Sequence, residues 1–417
     1  MNQLDSLNGK ILVPRRRLLG GIAAGAAVSS LAMPHIARAA EPIRIGLLEA
    51  KQGPISQQAQ YLQQGTFLAL EQLNNELLGQ PAEIVWDDEI SPQAAGQNAV
   101  QLIEQNKVVA LLGGALSNFA LAEEAIAGQY KIPFIVNNGA AEDITGAKCN
   151  PYTFRLQPPV PVQAAAMMPF LEHIGKRWYF LSASYAFGQD IADSFKALLK
   201  TAGGVIVGDD QVPVGTADYS AFILKIRDAK PDLVIGGLTS GDLSNFLKQW
   251  NDFGMRGKIP FTEIAVGDPD LWAVGKENVS GIYTTLWWYK DPNNSPADKA
   301  FADAYQKKYN RPAADKAWMG WYTAKIMFQA INAAKSTKAD AIVEALQNWH
   351  EIDGGLNVHF NKWNNQLEHR FLIVGVKKNI PDQWDYFDVL ASVPGSPEAM
   401  TAAFGTAADS VCHMTAL

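Results

Sequence analysis

The sequence predicts an α/β protein of two doubly wound lobes, each a parallel sheet with helices on both faces. Three observations carry this reading. Strand-like and helix-like segments alternate almost without interruption from residue 43 to residue 253. The alternation pauses at Pro158-Pro159-Val160-Pro161 and then resumes, which cuts it into two blocks. The 378 residues that follow residue 39 exceed the roughly 250–300 at which a single core stops growing. Strands separated by helices pair in parallel, because a helical crossover returns the chain to the same end of a sheet.

The first block opens with Ile43-Arg44-Ile45-Gly46-Leu47-Leu48, an apolar run suited to a strand buried on both faces. Residues 58–78 follow with Tyr61, Leu62, Phe67, Leu68, Leu70, Leu73 and Leu77 at helical spacing, and stop at Gly79. Strands are expected at 83–87, 108–112 and 132–136, with helices from Pro92 to about Asn106 and over 118–128. The second block reads as strands at 178–181, 205–207, 233–235 and 261–266, with helices near 188–202, 218–229 and 241–253. Residues 296–349 form a helix-rich third region, where Phe301, Tyr305, Tyr309, Trp318, Trp321 and Tyr322 supply aromatic contact surface. Residues 371–376 read as a late strand before a Pro/Gly/Ala-rich tail. Passages between the blocks are expected at 158–161 and 282–285. This places 40–157 and 286–355 in one lobe, and 158–285 and 356–417 in the other.

Ahead of these blocks, Arg15-Arg16-Arg17-Leu18-Leu19 opens a run of apolar and small residues that ends at Ala37-Arg38-Ala39. A charged start, a short apolar middle and a small-x-small exit make residues 1–39 a removable export signal. The middle is shorter than the ~20 residues of a membrane span. Adjacent arginines before x-Leu-Leu fit the twin-arginine variant. Five of the 35 Lys/Arg and one of the 42 Asp/Glu lie in the signal, leaving 30 basic and 41 acidic residues, net −11. A surface of that sign repels phosphate backbones, which argues against nucleic acid as a partner. No second long apolar run is present, so the processed chain is not expected to span a membrane. Cys149 and Cys412 are the two cysteines, and in an oxidising compartment they are a disulfide candidate. Their 263-residue separation says nothing about contact.

The usual catalytic and cofactor signatures are absent: no G-x-S-x-G, H-E-x-x-H, C-x-x-C, Walker loop or dinucleotide fingerprint. No catalytic residue, metal site or cofactor is therefore assigned. His359 and His369 read as surface or structural residues, and Asp87-Asp88-Glu89 as a solvated strand end rather than a cation site.

Open α/β sheets bind small molecules at the carboxyl ends of their strands. In the first block those loops hold Gln52 with Gln58 just beyond it, then Gly113-Gly114-Ala115-Leu116-Ser117-Asn118, then Asn137-Asn138-Gly139-Ala140-Ala141. Ser117 and the amides after it can cradle a carboxylate at a helix start, or Ser117 can simply cap the helix. The second block offers Tyr185 and Phe187 as flat apolar walls, the turn at Leu238 and Thr239, and Glu263. Glu263 suits a ligand ammonium or hydroxyl, or an ordinary ion pair.

These residues carry a family likeness. Residues 43–74, with Ala50-Lys51-Gln52-Gly53-Pro54-Ile55 and a helix holding Gly65 and Ala69, resemble the opening of the periplasmic leucine/isoleucine/valine-binding proteins. Trp86-Asp87-Asp88, Leu112-Gly113-Gly114, Tyr185-Ala186-Phe187-Gly188 and the run Phe301, Tyr305, Tyr309, Pro312, Tyr322 continue the likeness. The resemblance implies a periplasmic, monomeric substrate-binding protein of an ABC transporter. Its two α/β lobes would be joined by three crossovers, would close on a small ligand and would deliver it to membrane permease subunits. It implies that Ser117 or Asn118, with backbone at Gly139, Ala140 and Ala141, holds a carboxylate. Tyr185 and Phe187 would face it from the other lobe, and Glu263 would meet an α-ammonium.

Two departures bear on the ligand. The hydroxyl expected near Ala141 is missing, and the aromatic expected near Leu238 is aliphatic. A buried ammonium lacking one partner loses about 1–3 kcal/mol, or about ten- to a hundredfold in affinity. An aromatic carboxylate therefore stands beside a branched-chain or other amino acid, or a related carboxylate or amide, as the ligand. A ligand-sensing receptor domain and an exported α/β enzyme are the other readings; the second would need a nucleophile with a nearby base, and no strand-end loop offers the histidine.

Overall fold

The computed structural model describes residues 41–53, 55–238 and 240–414. Residues 1–39, expected to be an export signal, and Thr239 lie outside the described residues. The first sheet is built from β1 (Ile43–Leu48), β2 (Glu76–Leu77), β3 (Gln80–Asp87), β4 (Ala110–Gly113), β5 (Phe134–Val136) and β6 (Thr153–Arg155). Their order is β2-β3-β1-β4-β5-β6, parallel from β3 to β6. Between them run α1 (Ser56–Glu71), α2 (Pro92–Glu104) and α3 (Ser117–Tyr130).

The second sheet holds β7 (Arg177–Ala183), β8 (Val205–Val212), β9 (Leu233–Gly237) and β10 (Phe261–Thr262), in the order β10-β9-β7-β8 and parallel throughout. Its helices are α4 (Val160–Leu171), α5 (Ala186–Thr201), α6 (Ser220–Ala229), α7 (Gly241–Asp252) and α8 (Asp268–Val274). A single bridge from Glu263 to Tyr283 continues this sheet into β11 (Ile282–Thr285). Residues 282–285, expected as a passage between lobes, are thus a strand, and the passage follows them.

The chain then returns to the first lobe as α9 (Pro296–Tyr309), α10 (Asp315–Ala334) and α11 (Ala339–Gln347). The strands β12 (His350–Asp353), β13 (Leu356–Phe360) and β14 (Leu367–Glu368) form an antiparallel sheet beside β6, through the bridge from Arg155 to Gln366. Only afterwards do β15 (Phe371–Val376) and β16 (Phe387–Val393) join β11, and α12 (Pro397–Phe404) packs on α4. The chain therefore passes between the sheets three times: after β6, after β11 and after β14. The strand pairing puts residues 350–368 with the first sheet, whereas the sequence places everything beyond 355 with the second. Cys149, in the first lobe, and Cys412, in the tail after α12, form a disulfide.

The helix expected over 58–78 ends at Glu71. Asn74, Asn75 and Leu78 take left-handed backbone (φ 55°, 56° and 53°) and turn the chain into the β2–β3 hairpin. The Asn pair is suited to that conformation, and two of the leucines that look helical fall in the turn and in β2.

The first lobe is fastened by a backbone contact between α1 and α10. A Cβ on Gly65 would collide with the carbonyl oxygen of Ala317, and one on Gly320 with that of Leu62. Thr66 bridges the crossing, its hydroxyl reaching Leu62 O at 3.0 Å and Gly320 O at 3.2 Å. Beside it the rings of Phe301 and Trp321 stack with centroids 4.8 Å apart. Gly320→Ala must therefore push the two helices apart. We expect it to lower the free energy of unfolding in urea by about 1–3 kcal/mol or more; an unchanged midpoint would show that the crossing is not tightly packed.

Candidate functional site

The carboxyl ends of both sheets face each other across a cleft. From the first lobe, Gln58, Ala115, Leu116, Ser117 and Asn138 line it. From the second come Tyr185, Phe187, Leu238, Ser240 and Leu243, with Ala265, Val266 and Asp270 beyond β10. The cavity among these described residues is ≈ 20 Å³, room for about one water. The lobes are in contact across it. The amide of Glu142 donates to Asp190 Oδ2 at 2.7 Å, and the amide of Asp315 to Asp268 Oδ2 at 3.0 Å. This is a closed cleft, and a larger ligand enters only if the lobes part.

Gly114 makes the first-lobe wall possible. It sits at φ 79°, and a Cβ there would press on Ala120. The chain turns there into α3, whose N-cap, Leu116, supplies no side-chain cap. Leu116 O accepts from the amides of Phe119 and Ala120, so the amides of Ser117 and Asn118 have no helical acceptor. Ser117 Oγ accepts from the amides of Ala140 and Ala141 at 3.2 and 3.1 Å, which leaves its proton free to donate. Asn138 is fixed at both ends: Nδ2 donates to Ala115 O at 2.8 Å, and Oδ1 accepts from Lys316 Nζ at 3.0 Å. Gln58 Oε1 is buried without a partner. The combination offers an anion a helix N-terminus and a hydroxyl donor, with no cationic side chain among the described residues of the lining.

The second-lobe wall is apolar and flat. Tyr185 and Phe187 are buried with ring centroids 6.1 Å apart. Among the described residues Asp270 is the one carboxyl group on the lining. Its Oδ2 accepts from the amide of Gly267 at 3.0 Å, and burial pushes its carboxyl up to about 6, opposed by the charge of Lys316. Lys316, itself buried, pairs with Asp315 at 3.3 Å and reaches Ala265 O across the lobes at 3.4 Å.

The structure brings together Gln58, Ser117, Tyr185, Phe187 and Leu238 of the residues singled out from sequence. Gln52 is exposed and contacts Asp88 instead. Asn118, Gly139, Ala140 and Ala141 lie behind the lining, the last two acting through Ser117. Glu263 is not on the cavity. It lies with Phe261 in the second-lobe core under Gly236, whose missing Cβ makes room for both side chains. Burial raises its carboxyl well above the usual range, and its Oε2 has no partner. Asp270 lies on the lining instead. The signal was present in Gly267-Asp268-Pro269, a helix start that aims the first turn of α8 at the cleft.

Asp87-Asp88-Glu89 is not wholly solvated either. Glu89 is fully buried, as are Glu49 and Glu123. Glu49 Oε1 accepts from Asn137 Nδ2 at 2.6 Å, and Glu89 Oε1 from the amide of Ala115 at 3.1 Å. Burial and mutual repulsion raise Glu49 and Glu89, and burial lifts Glu123 to about 8. The three lie behind the wall that carries Ala115.

The family model for periplasmic binding proteins matches residues 42–380. The chain belongs to the periplasmic binding protein family. Among its relatives is Leu/Ile/Val-binding protein homolog 8 of Brucella suis biovar 1, 26% identical over 376 residues, which cover 84% of this chain and 91% of that one. Among solved structures, a periplasmic binding protein of Burkholderia mallei superposes with a TM-score of 0.81 at 23% identity, covering 89% of this chain and 99% of the other. An ABC-transporter solute-binding protein of Rhodopseudomonas palustris BisB5, in complex with 3,4-dihydroxybenzoic acid, superposes with a TM-score of 0.77 at 22% identity, covering 84% and 97%. These two structures share the fold with this family member. Among the described residues no helix is long and apolar enough to cross a membrane.

The three glutamates give this binding protein a pH signature. Unfolded, each loses its proton near 4.5; folded, Glu123 keeps it to about 8. Between those values the folded state binds more protons, so stability falls as pH rises through that window. We expect the melting temperature to drop from about pH 5 towards about pH 8, and Glu123→Gln to flatten the drop; an equal slope in the variant would contradict the assignment.

Proposed function

We propose that this protein is the extracytoplasmic substrate-binding component of an ABC importer, which captures a small organic acid between its lobes and presents the closed form to the membrane permease. The observation that carries this is the closed cleft, in which the N-terminus of α3 with Ser117 opposes the Tyr185/Phe187 wall and Asp270. A carboxylate suits the α3 end, an apolar or aromatic body suits the rings, and a donor group suits Asp270. Export by the signal at 1–39, cleavage near Ala39, a periplasmic location and a monomeric state belong to the same reading. So do lobes of residues 40–157 with 286–368, and 158–285 with 369–417, the bounds that strand pairing supports.

The donor group divides the ligand class in two. An α-amino acid would bring an ammonium to Asp270, in keeping with the relative named for leucine, isoleucine and valine. A hydroxylated aromatic acid would bring a hydroxyl, in keeping with the neighbour that holds 3,4-dihydroxybenzoic acid. The aliphatic Leu238 on the lining and a carboxyl raised to about 6 favour the second.

A thermal-shift and calorimetric series with leucine, isoleucine, valine, benzoate and 3,4-dihydroxybenzoate tests this. A ligand at about a hundred times its Kd adds about 2.7 kcal/mol, a shift of several degrees in a domain of this size. We expect the hydroxylated acid to bind and Ser117→Ala to weaken it about tenfold or more. Glu263→Gln, behind the wall, should leave affinity unchanged. Binding of leucine alone, abolished by Asp270→Asn, would establish the amino-acid reading; affinity lost in Glu263→Gln but kept in Ser117→Ala would refute the site.

A further inference from the structure

The disulfide joins two segments that the fold assigns to different lobes. Cys149 lies in the first lobe, where its amide donates to Gly146 O at 3.2 Å and the side chain of the next residue, Asn150, donates to Glu124 O of α3 at 3.2 Å. Cys412 ends a tail that issues from the second lobe: β16 pairs with β15, and α12 packs on α4. The bond is therefore a fourth covalent connection between the lobes, beside the three passages of the main chain.

Between α12 and Cys412 the chain is held by little else. Among the described residues, the hydrogen bonds of 405–414 stay within the tail or return to α12. The amide of Gly405 donates to Thr401 O, the amide of Asp409 to Thr406 O, Thr406 Oγ1 to Asp409 Oδ2, and the amide of Cys412 to Ser410 Oγ. Residues 406–409 and Val411 are exposed. Beneath the tail lies a hollow of ≈ 460 Å³, walled by Glu142, Thr145 and Trp363 of the first lobe and by Pro161 and Val162 of the second. Pro159, in the first passage between the lobes, lies on its floor. The tail is thus an arch beside that passage, footed on α12 at one end and on the disulfide at the other.

We infer that this arch is a strap that limits how far the lobes part and so favours the closed form. The inference rests on the reading of the cleft as one that opens to admit a ligand. Seven residues, 405–411, separate Phe404 from Cys412, and fully extended they reach at most about 29 Å. Arrangements of the parted lobes that need a longer reach are excluded. The closed form, which the strap already spans, loses nothing. Restricting one ensemble and not the other shifts the balance towards the unrestricted one, as a cross-link does for folding. Apparent affinity rises with the closed fraction, whatever the ligand.

The test is amide hydrogen exchange on the whole protein without ligand, in two variants. Cys149→Ser with Cys412→Ser cuts the strap. Seven Gly/Ser residues inserted between the exposed Ala407 and Ala408 keep the disulfide and double the strap's length. Opening is read at the amides of Glu142 and Asp315, which donate across the lobes. Unfolding is read at those of Leu111 and Val234, which donate within the two sheets to Pro133 O and Pro260 O. We expect the insertion to speed exchange at Glu142 and Asp315 about threefold, with Leu111 and Val234 unchanged, and the cut to speed it further. Unchanged exchange at Glu142 and Asp315 in the insertion variant would overturn the strap, and that variant decides alone if the cut one fails to fold. An equal rise at all four amides on insertion would make the tail part of the fold's general stability and overturn it too. Exchange at Glu142 and Asp315 as slow as at Leu111 in the unaltered protein would mean that the lobes do not part; that result refutes capture by closure and the strap with it.

Discussion

The contact of α1 with α10, backbone against backbone at Gly65 and Gly320, is the constraint on which the rest of the molecule depends. The chain leaves the first lobe after β6, and after β11 this crossing brings it back. The same packing sets the N-terminus of α10, where Asp315 and Lys316 stand at the rear of the cleft. From there Lys316 holds the side-chain amide of Asn138, and the backbone amide of Asp315 donates to Asp268 of the opposite lobe. The geometry of the cleft is thus built from the first-lobe core outwards.

The cleft's chemistry follows from removing charge from water. Among the described residues its lining has one carboxyl and no cation, while Lys316, Asp315 and Asp268 lie just behind. Burial raises Asp190, Asp268 and Asp270, and each of the three accepts from a backbone amide. Two of those amides belong to the other lobe. Closure therefore exchanges water around carboxylates for amide donors. The net gain from such an exchange is small, so the contacts of a small ligand are enough to tip the balance between lobes apart and lobes together.

Much of the fold is legible in the sequence. The apolar run 43–48 is a strand over those same residues, and the alternation of strand and helix matches both parallel sheets. Legibility ends where long-range packing decides. β6 and β12–β14 are short, and the bridge from Arg155 to Gln366 joins segments far apart in the chain, which no local pattern signals. The site shows the same division. Ser117, Tyr185 and Phe187 follow strand ends directly and are readable. Glu263 is misplaced by sequence reasoning because β10 stops at Thr262, and the face of the next residue depends on its bridge to Tyr283. Asp270 escapes because a strand-end search stops before the helix that carries it.

The most direct test is the distance between the lobes in solution. Labels at Ala147 and Asp193, exposed residues on either side of the contact between Glu142 and Asp190, would report it by pulsed electron resonance. The account predicts a longer, broader distribution without ligand that collapses to the short distance of this structure when a stabilising carboxylate is added. One unchanged short distance in both conditions would contradict capture by closure.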